Sequence, residues 1–112
     1  FAQALDDTRW ALDDTLDEDD VLFELGSIAT VIRHCSILAC YKLNAPRFQV
    51  TDSIKASFAA VEMSEFTEAA IELYQFRLAT ARQIPAPTRP NLTLANLWLG
   101  RAQRYVEKVG NL

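Results

Sequence analysis

Apolar residues recur at spacings of three and four along most of the chain, which is the period of an α-helix rather than of a strand. The first segment with this pattern places Leu5, Leu12 and Leu16 on one face, and carboxylates occupy the opposite face. The pattern predicts an amphipathic helix at the start of the chain.

The second segment is longer and is apolar around more of its circumference. It runs from Val21 to about Leu43, and Pro46 ends it because the residue before a proline is pushed out of helical geometry. Most of its apolar side chains form one stripe, while Val31 and Leu38 lie on the far side. Apolar surface on two sides predicts a helix at the centre of a bundle, or one that is buried again at an interface.

Three further helices follow the same pattern. They are predicted over about 52–61, 64–83 and 93–109, with a proline-rich connection at 84–90 before the last one. The sequence allows the first two of these to merge into one kinked helix. With 112 residues, half of them apolar, the chain suffices for one core. We therefore expect an all-α fold, an up-and-down bundle of four or five helices around the long central helix (about 21–43), in a single domain over 1–112.

Charge is distributed unevenly along the chain. Residues 1–20 contain eight acidic side chains and one arginine, whereas residues 77–112 contain six basic side chains and one acidic one. We expect the two ends to lie near each other within one molecule, where their fields offset. The net charge of −4 argues against nucleic acid as a partner, because phosphate would be repelled.

The two cysteines, Cys35 and Cys40, are five residues apart on the long helix and about 140° apart around its axis. That geometry disfavours a disulfide between them, and it predicts buried thiols in a cytoplasmic or other reducing compartment. No uninterrupted apolar run reaches the about 18–20 residues that span a bilayer, so no membrane partner is expected.

A polar line along the long helix is the most unusual feature of the pattern. Ser27, Thr30, His34 and Tyr41 follow spacings of three, four and seven, which places them on one side of the helix. Such a line indicates a contact with a small molecule or a partner. The alternative is that it faces solvent, with its hydroxyl groups bonded back to the helix.

The leading functional hypothesis is a non-enzymatic helical interaction domain that forms a homo-oligomer or docks on a protein partner. No catalytic residue and no cofactor is identified. The predicted partner-binding residues come from the central and the last helix, and they are Val31, His34, Leu38, Tyr41, Trp98 and Tyr105.

Two alternatives stay open. Glu65, Glu68 and Glu72 share a helix face, and carboxylates stacked in this way can hold Mg²⁺. This Glu-rich helix resembles that of the all-α nucleoside triphosphate pyrophosphohydrolases, which would imply a magnesium-dependent nucleotide hydrolase. Their later Glu-x-x-Asp has no counterpart here, since no Asp follows Asp52.

The size and the all-α pattern are also similar to those of the small helical domains that pair with nucleotidyltransferases. That similarity would imply an accessory or substrate-binding domain. Some of those domains act as RNases through an arginine followed at a distance by a histidine. Here the single histidine, His34, follows Arg33 immediately.

Overall fold

A computed structural model describes residues 1–14 and 17–112. Within that part of the chain the fold is all-helical, with helices packed on a long central one, as the hydrophobic pattern predicts. The elements are α1 (Ala2–Asp13), α2 (Glu18–Lys42), α3 (Val50–Ala60), a 3₁₀ turn (Ser64–Phe66), α4 (Thr67–Arg82) and α5 (Leu92–Gly110). Leu16, assigned above to the apolar face of the first helix, lies outside the described residues.

Helix boundaries follow local capping chemistry. α2 begins earlier than expected, because the side chain of Asp17 accepts a hydrogen bond from the Asp20 backbone N–H at 2.9 Å. Asn91 caps α5 in the same way through the Leu94 N–H, at 2.7 Å. α3 and α4 are separate helices, since Glu62 adopts a left-handed backbone conformation (φ 60°) between them.

The whole fold is organised around α2. Helices α1, α3, α4 and α5 all contact it, and α1 also packs on α5. By length and composition α2 could cross a membrane, but the central helix of a bundle passes the same test. Half of its most apolar window is buried inside the fold, so the criterion is weak evidence for a span.

A chain of buried hydroxyl groups ties three helices together at the core. The Tyr105 ring of α5 stacks on Phe58 of α3, with centroids 4.3 Å apart. Its hydroxyl donates to Ser57 Oγ at 2.6 Å, and Ser57 donates to the Ser53 carbonyl at 2.7 Å. Because Tyr105 has thereby used its single hydroxyl hydrogen, its oxygen is an acceptor for Ser36 of α2, 2.8 Å away, and the one hydrogen of Ser36 is shared between that oxygen and the carbonyl one turn before it, at 2.7 Å. All three hydroxyl groups are therefore satisfied without water.

The oppositely charged ends meet within the molecule, which confirms the intramolecular prediction. The acidic α1 packs on the basic α5, and the Arg89 guanidinium pairs with Glu18 at the start of α2. Two lysines bind backbone carbonyls at helix ends rather than acidic side chains. Lys42 donates to the carbonyl of Val109 at 3.1 Å, and Lys108 donates to that of Val61 at 3.2 Å. Both contacts place a cation at a helix C-terminus, where the helix dipole favours it.

Truncation of Tyr105 separates the contribution of its ring from that of its hydroxyl. Tyr105→Phe keeps the stack on Phe58, and Ser36 and Ser57 keep backbone carbonyl partners. We therefore expect the free energy of unfolding to fall by about 1–2 kcal/mol. Tyr105→Ala also leaves a cavity, and we expect a fall of about 3–5 kcal/mol. Urea unfolding of both variants measures the difference, and equal losses would contradict this partition.

Candidate groove and apolar patch on the central helix

The polar line predicted on α2 lies on the side that the other helices leave open. His34 and Tyr41 are exposed, while Ser27 and Thr30 are partly buried. The hydroxyl of Ser27 donates to the Phe23 carbonyl at 3.1 Å, and that of Thr30 donates to the carbonyl one turn before it at 2.9 Å. The two hydroxyl groups are therefore bonded back to the helix, as the simpler of the two interpretations predicts.

A groove of about 430 Å³ opens along the first half of this side. Its floor is α2, from Phe23 to His34, and it includes Gly26 and Val31. One wall is the start of α1, at Phe1 and Ala4, and the other is the last turns of α4, at Arg77 and Thr80. The volume falls within the about 300–1,000 Å³ typical of ligand clefts in proteins.

The two basic side chains of this groove have no polar partner among residues 1–14 and 17–112. Neither Arg77 nor His34 makes a hydrogen bond or ion pair with the described residues, and no acidic side chain lines the groove. Thr80 donates its hydroxyl hydrogen to the Phe76 carbonyl at 3.3 Å. The side-chain N–H donors left over are therefore those of the guanidinium and the imidazole.

A second exposed feature begins where the groove ends. We call it the apolar patch, and it consists of Leu38, Tyr41, Leu43 and Phe48, from the last turns of α2 and the connection to α3. Leu38 is 41% exposed, Tyr41 is 53% exposed and Phe48 is 78% exposed. The structure thus divides the predicted contact residues of α2, with His34 in the groove and Leu38 and Tyr41 on the patch. Val31 borders the groove floor, but it is only 7% exposed and belongs to the core, so it offers little surface.

The two predicted contact residues of α5 were expected at a surface, and the structure buries both. Trp98 and Tyr105 are both buried in the core, so neither offers a surface on the monomer. The reason is packing, since Tyr105 completes the hydroxyl chain and Trp98 lies beneath the guanidinium of Arg101, 5.1 Å from its ring centroid. The same guanidinium covers Phe66, at 4.5 Å.

The three predicted magnesium ligands are exposed on the protein surface. Glu65 lies in the 3₁₀ turn, Glu68 and Glu72 lie on α4, and all three side chains are exposed. In residues 1–14 and 17–112, no group of three or more His, Cys, Asp or Glu side chains is placed to hold a metal ion. The magnesium alternative therefore has no assembled ligand set in the described chain.

The two cysteines are free and buried, as the helical geometry predicts. Burial raises the pKa of Cys35 to about 11 and also raises the pKa of Cys40 above its ordinary value. The Cys40 thiol faces the Ser53 carbonyl at 3.8 Å. Both groups therefore stay protonated near neutral pH and are poor nucleophiles.

Arg77 is the functional candidate that sequence reasoning missed. It lies on α4, and its backbone packs against Gly26, where an added Cβ would lie 3.5 Å from the Arg77 Cα. A glycine inside a long apolar helix was the available signal, because it indicates a close neighbour. The sequence pattern does not identify which helix packs against Gly26, so the groove could not be predicted from it.

No family model, curated protein or solved structure matches this chain. The groove and the apolar patch are therefore the features from which a function can be inferred.

Thiol labelling tests the burial of the cysteines. We expect iodoacetamide at pH 8 to modify neither Cys35 nor Cys40 in the folded protein, because both thiols are inaccessible and mostly protonated. Mass spectrometry would show two additions only after unfolding in guanidinium. Rapid labelling of the native protein would contradict this packing.

Substitution of Gly26 tests how closely α2 and α4 approach. The Cβ of Gly26→Ala would make an ordinary van der Waals contact with Arg77. Alanine is favoured over glycine within a helix by about 1 kcal/mol. We therefore expect the free energy of unfolding to rise by about 0.5–1 kcal/mol, measured by urea titration. A loss of stability would mean that the two helices have no room for a methyl group.

Proposed function

We propose that this protein is a non-enzymatic helical interaction domain that self-associates or docks on a protein partner through the apolar patch. The observation that carries the proposal is the exposure of Leu38, Tyr41 and Phe48 at one end of the central helix. Exposed aromatic and aliphatic side chains that cluster along a short stretch of chain favour a contact site.

The composition of the patch favours a protein over a small molecule. It combines aromatic and aliphatic side chains with Arg47, which lies between the patch residues along the chain. Aromatic residues and arginine are enriched in protein interfaces, and they supply much of the binding energy there. An exposed helix end with these side chains suits another folded surface.

The fold also holds this end of α2 in place before any partner binds. Lys42 donates to the carbonyls of Val109 and Gly110, which anchors the last turn of α2 to the end of α5. Leu43 N–H continues the helical hydrogen bonding to the Ala39 carbonyl at 3.0 Å. A pre-ordered surface loses little conformational entropy on association, which favours binding.

Leu38→Asp tests the patch, and Leu97→Asp is its matched control. Leu97 is 47% exposed on α5, so the two substitutions add the same charge at similar exposure. We expect Leu38→Asp to weaken association at least tenfold, because a carboxylate would be buried in an apolar contact. Leu97→Asp should leave association unchanged. Sedimentation velocity over a concentration series measures both, with circular dichroism to confirm folding.

The outcomes separate the two forms of the proposal. A wild-type dimer that persists in high salt and is lost in Leu38→Asp supports self-association through apolar contact, which salt does not screen. A wild-type monomer contradicts self-association. Docking on another protein then requires that the wild type and Leu97→Asp capture a protein that Leu38→Asp does not. Unfolding of Leu38→Asp would place Leu38 in the core and contradict the patch.

A further inference from the structure

The groove between α1, α2 and α4 has a chemistry of its own. Its apolar surface comes from the rings of Phe1 and Phe23 and from Val31. The hydroxyl hydrogens of its serine and threonines are used by the helix carbonyls described above, so these groups can accept hydrogen bonds but do not readily donate them. Side-chain donors for a ligand therefore come from the cationic side of the groove.

The charge of the groove also favours a ligand that accepts hydrogen bonds and is negatively charged. The protein as a whole carries a net charge of −4, yet none of the described residues that line the groove is acidic. Arg77 is partly buried and makes no ion pair with the described residues. A guanidinium in this position has lost part of its hydration, and an anion that reached it would form charge-assisted hydrogen bonds, which are about twice as strong as neutral ones.

We propose that this groove binds a small apolar carboxylate, with its hydrocarbon body against Phe23 and Val31 and its carboxylate on Arg77 beside His34. The guanidinium fork can donate to both oxygens of a carboxylate at once. A hydroxyl group of a ligand offers only one oxygen, and an ammonium group would be repelled. This inference goes beyond the proposed function, because the groove and the apolar patch share no residue.

The test uses a matched pair of probes, 2-naphthoate and 2-naphthamide. They have the same rings and nearly the same shape, and only the first carries a negative charge. Titration of each into the ¹⁵N-labelled protein, followed by amide chemical shifts, gives both the affinity and the location. We expect shifts centred on Ser27, Thr30 and Arg77, and affinity at least tenfold higher for naphthoate, equivalent to about 1.4 kcal/mol.

Substitution of Arg77 tests the carboxylate contact, and Arg104 provides the matched control. Arg77→Met keeps an unbranched stem against Gly26 and removes the charge. It should lower the affinity for naphthoate about tenfold and leave that for naphthamide unchanged, because a charge-assisted pair contributes on that scale. Arg104→Met, at an exposed position on α5 outside the groove, should change neither.

A second variant tests the groove without touching its charge. Ser27 lies on the floor, and its hydroxyl bonds only within its own helix. Ser27→Leu should fill the space and abolish the binding of both probes while the fold is retained. This variant also keeps the test decisive if Arg77→Met proves unstable.

Three results would overturn the proposal. They are equal affinities for the two probes, unchanged naphthoate binding in Arg77→Met, and the absence of saturable shifts in the groove at millimolar probe. None of these bears on the apolar patch, which is tested by association. Conversely, Leu38→Asp should leave naphthoate binding unchanged, so failure of one proposal is distinguishable from failure of the other.

Discussion

The fold depends on covering a central helix that is apolar on more than one side. α2 buries residues that face each of its neighbours, and helices α1, α3, α4 and α5 all use its surface. Each of them is amphipathic and would expose an apolar stripe alone. Burial of α2 therefore makes the packing of the other four helices interdependent.

Polar groups inside this core select one arrangement of the helices. The hydroxyl chain from Ser36 through Tyr105 to Ser57 requires α2, α5 and α3 to meet at a single register. A slip of one helix would leave the buried Tyr105 hydroxyl without a partner, at a cost of about 1–3 kcal/mol, while Ser36 and Ser57 would keep the carbonyls of their own helices. Apolar contact supplies the larger part of the stability, and the hydroxyl chain supplies the specificity.

Four helices do not close completely around the fifth, and the candidate functional surfaces lie where closure fails. Between α1 and α4 the gap forms a groove whose Arg77 pairs with none of the described side chains, whereas the far end of α2 presents an apolar patch. The two surfaces differ in shape and charge. A concave cationic groove suits a small anion, and an exposed apolar patch suits another protein.

Local pattern determined which segments form helices. The spacing of apolar residues predicts the five described helices, whereas the start of α2 lies earlier than the expected Val21 because Asp17 caps it. The opposite charges of the chain ends also indicated their proximity within the molecule. These properties depend on neighbours in sequence or on the distribution of charge along the chain, and the sequence contains both.

Only the tertiary structure decided which apolar residues remain exposed. Trp98 and Leu97 are adjacent in the chain, yet Trp98 is buried and Leu97 is exposed. Leu38 and Tyr41 are also exposed, although they lie on a helix that is apolar on both sides. The groove requires Arg77 of α4 to lie beside Gly26 of α2, a contact between residues far apart in sequence. Periodicity gives each helix its faces but not its neighbours, because the partner of a face is selected by the packing of the whole bundle.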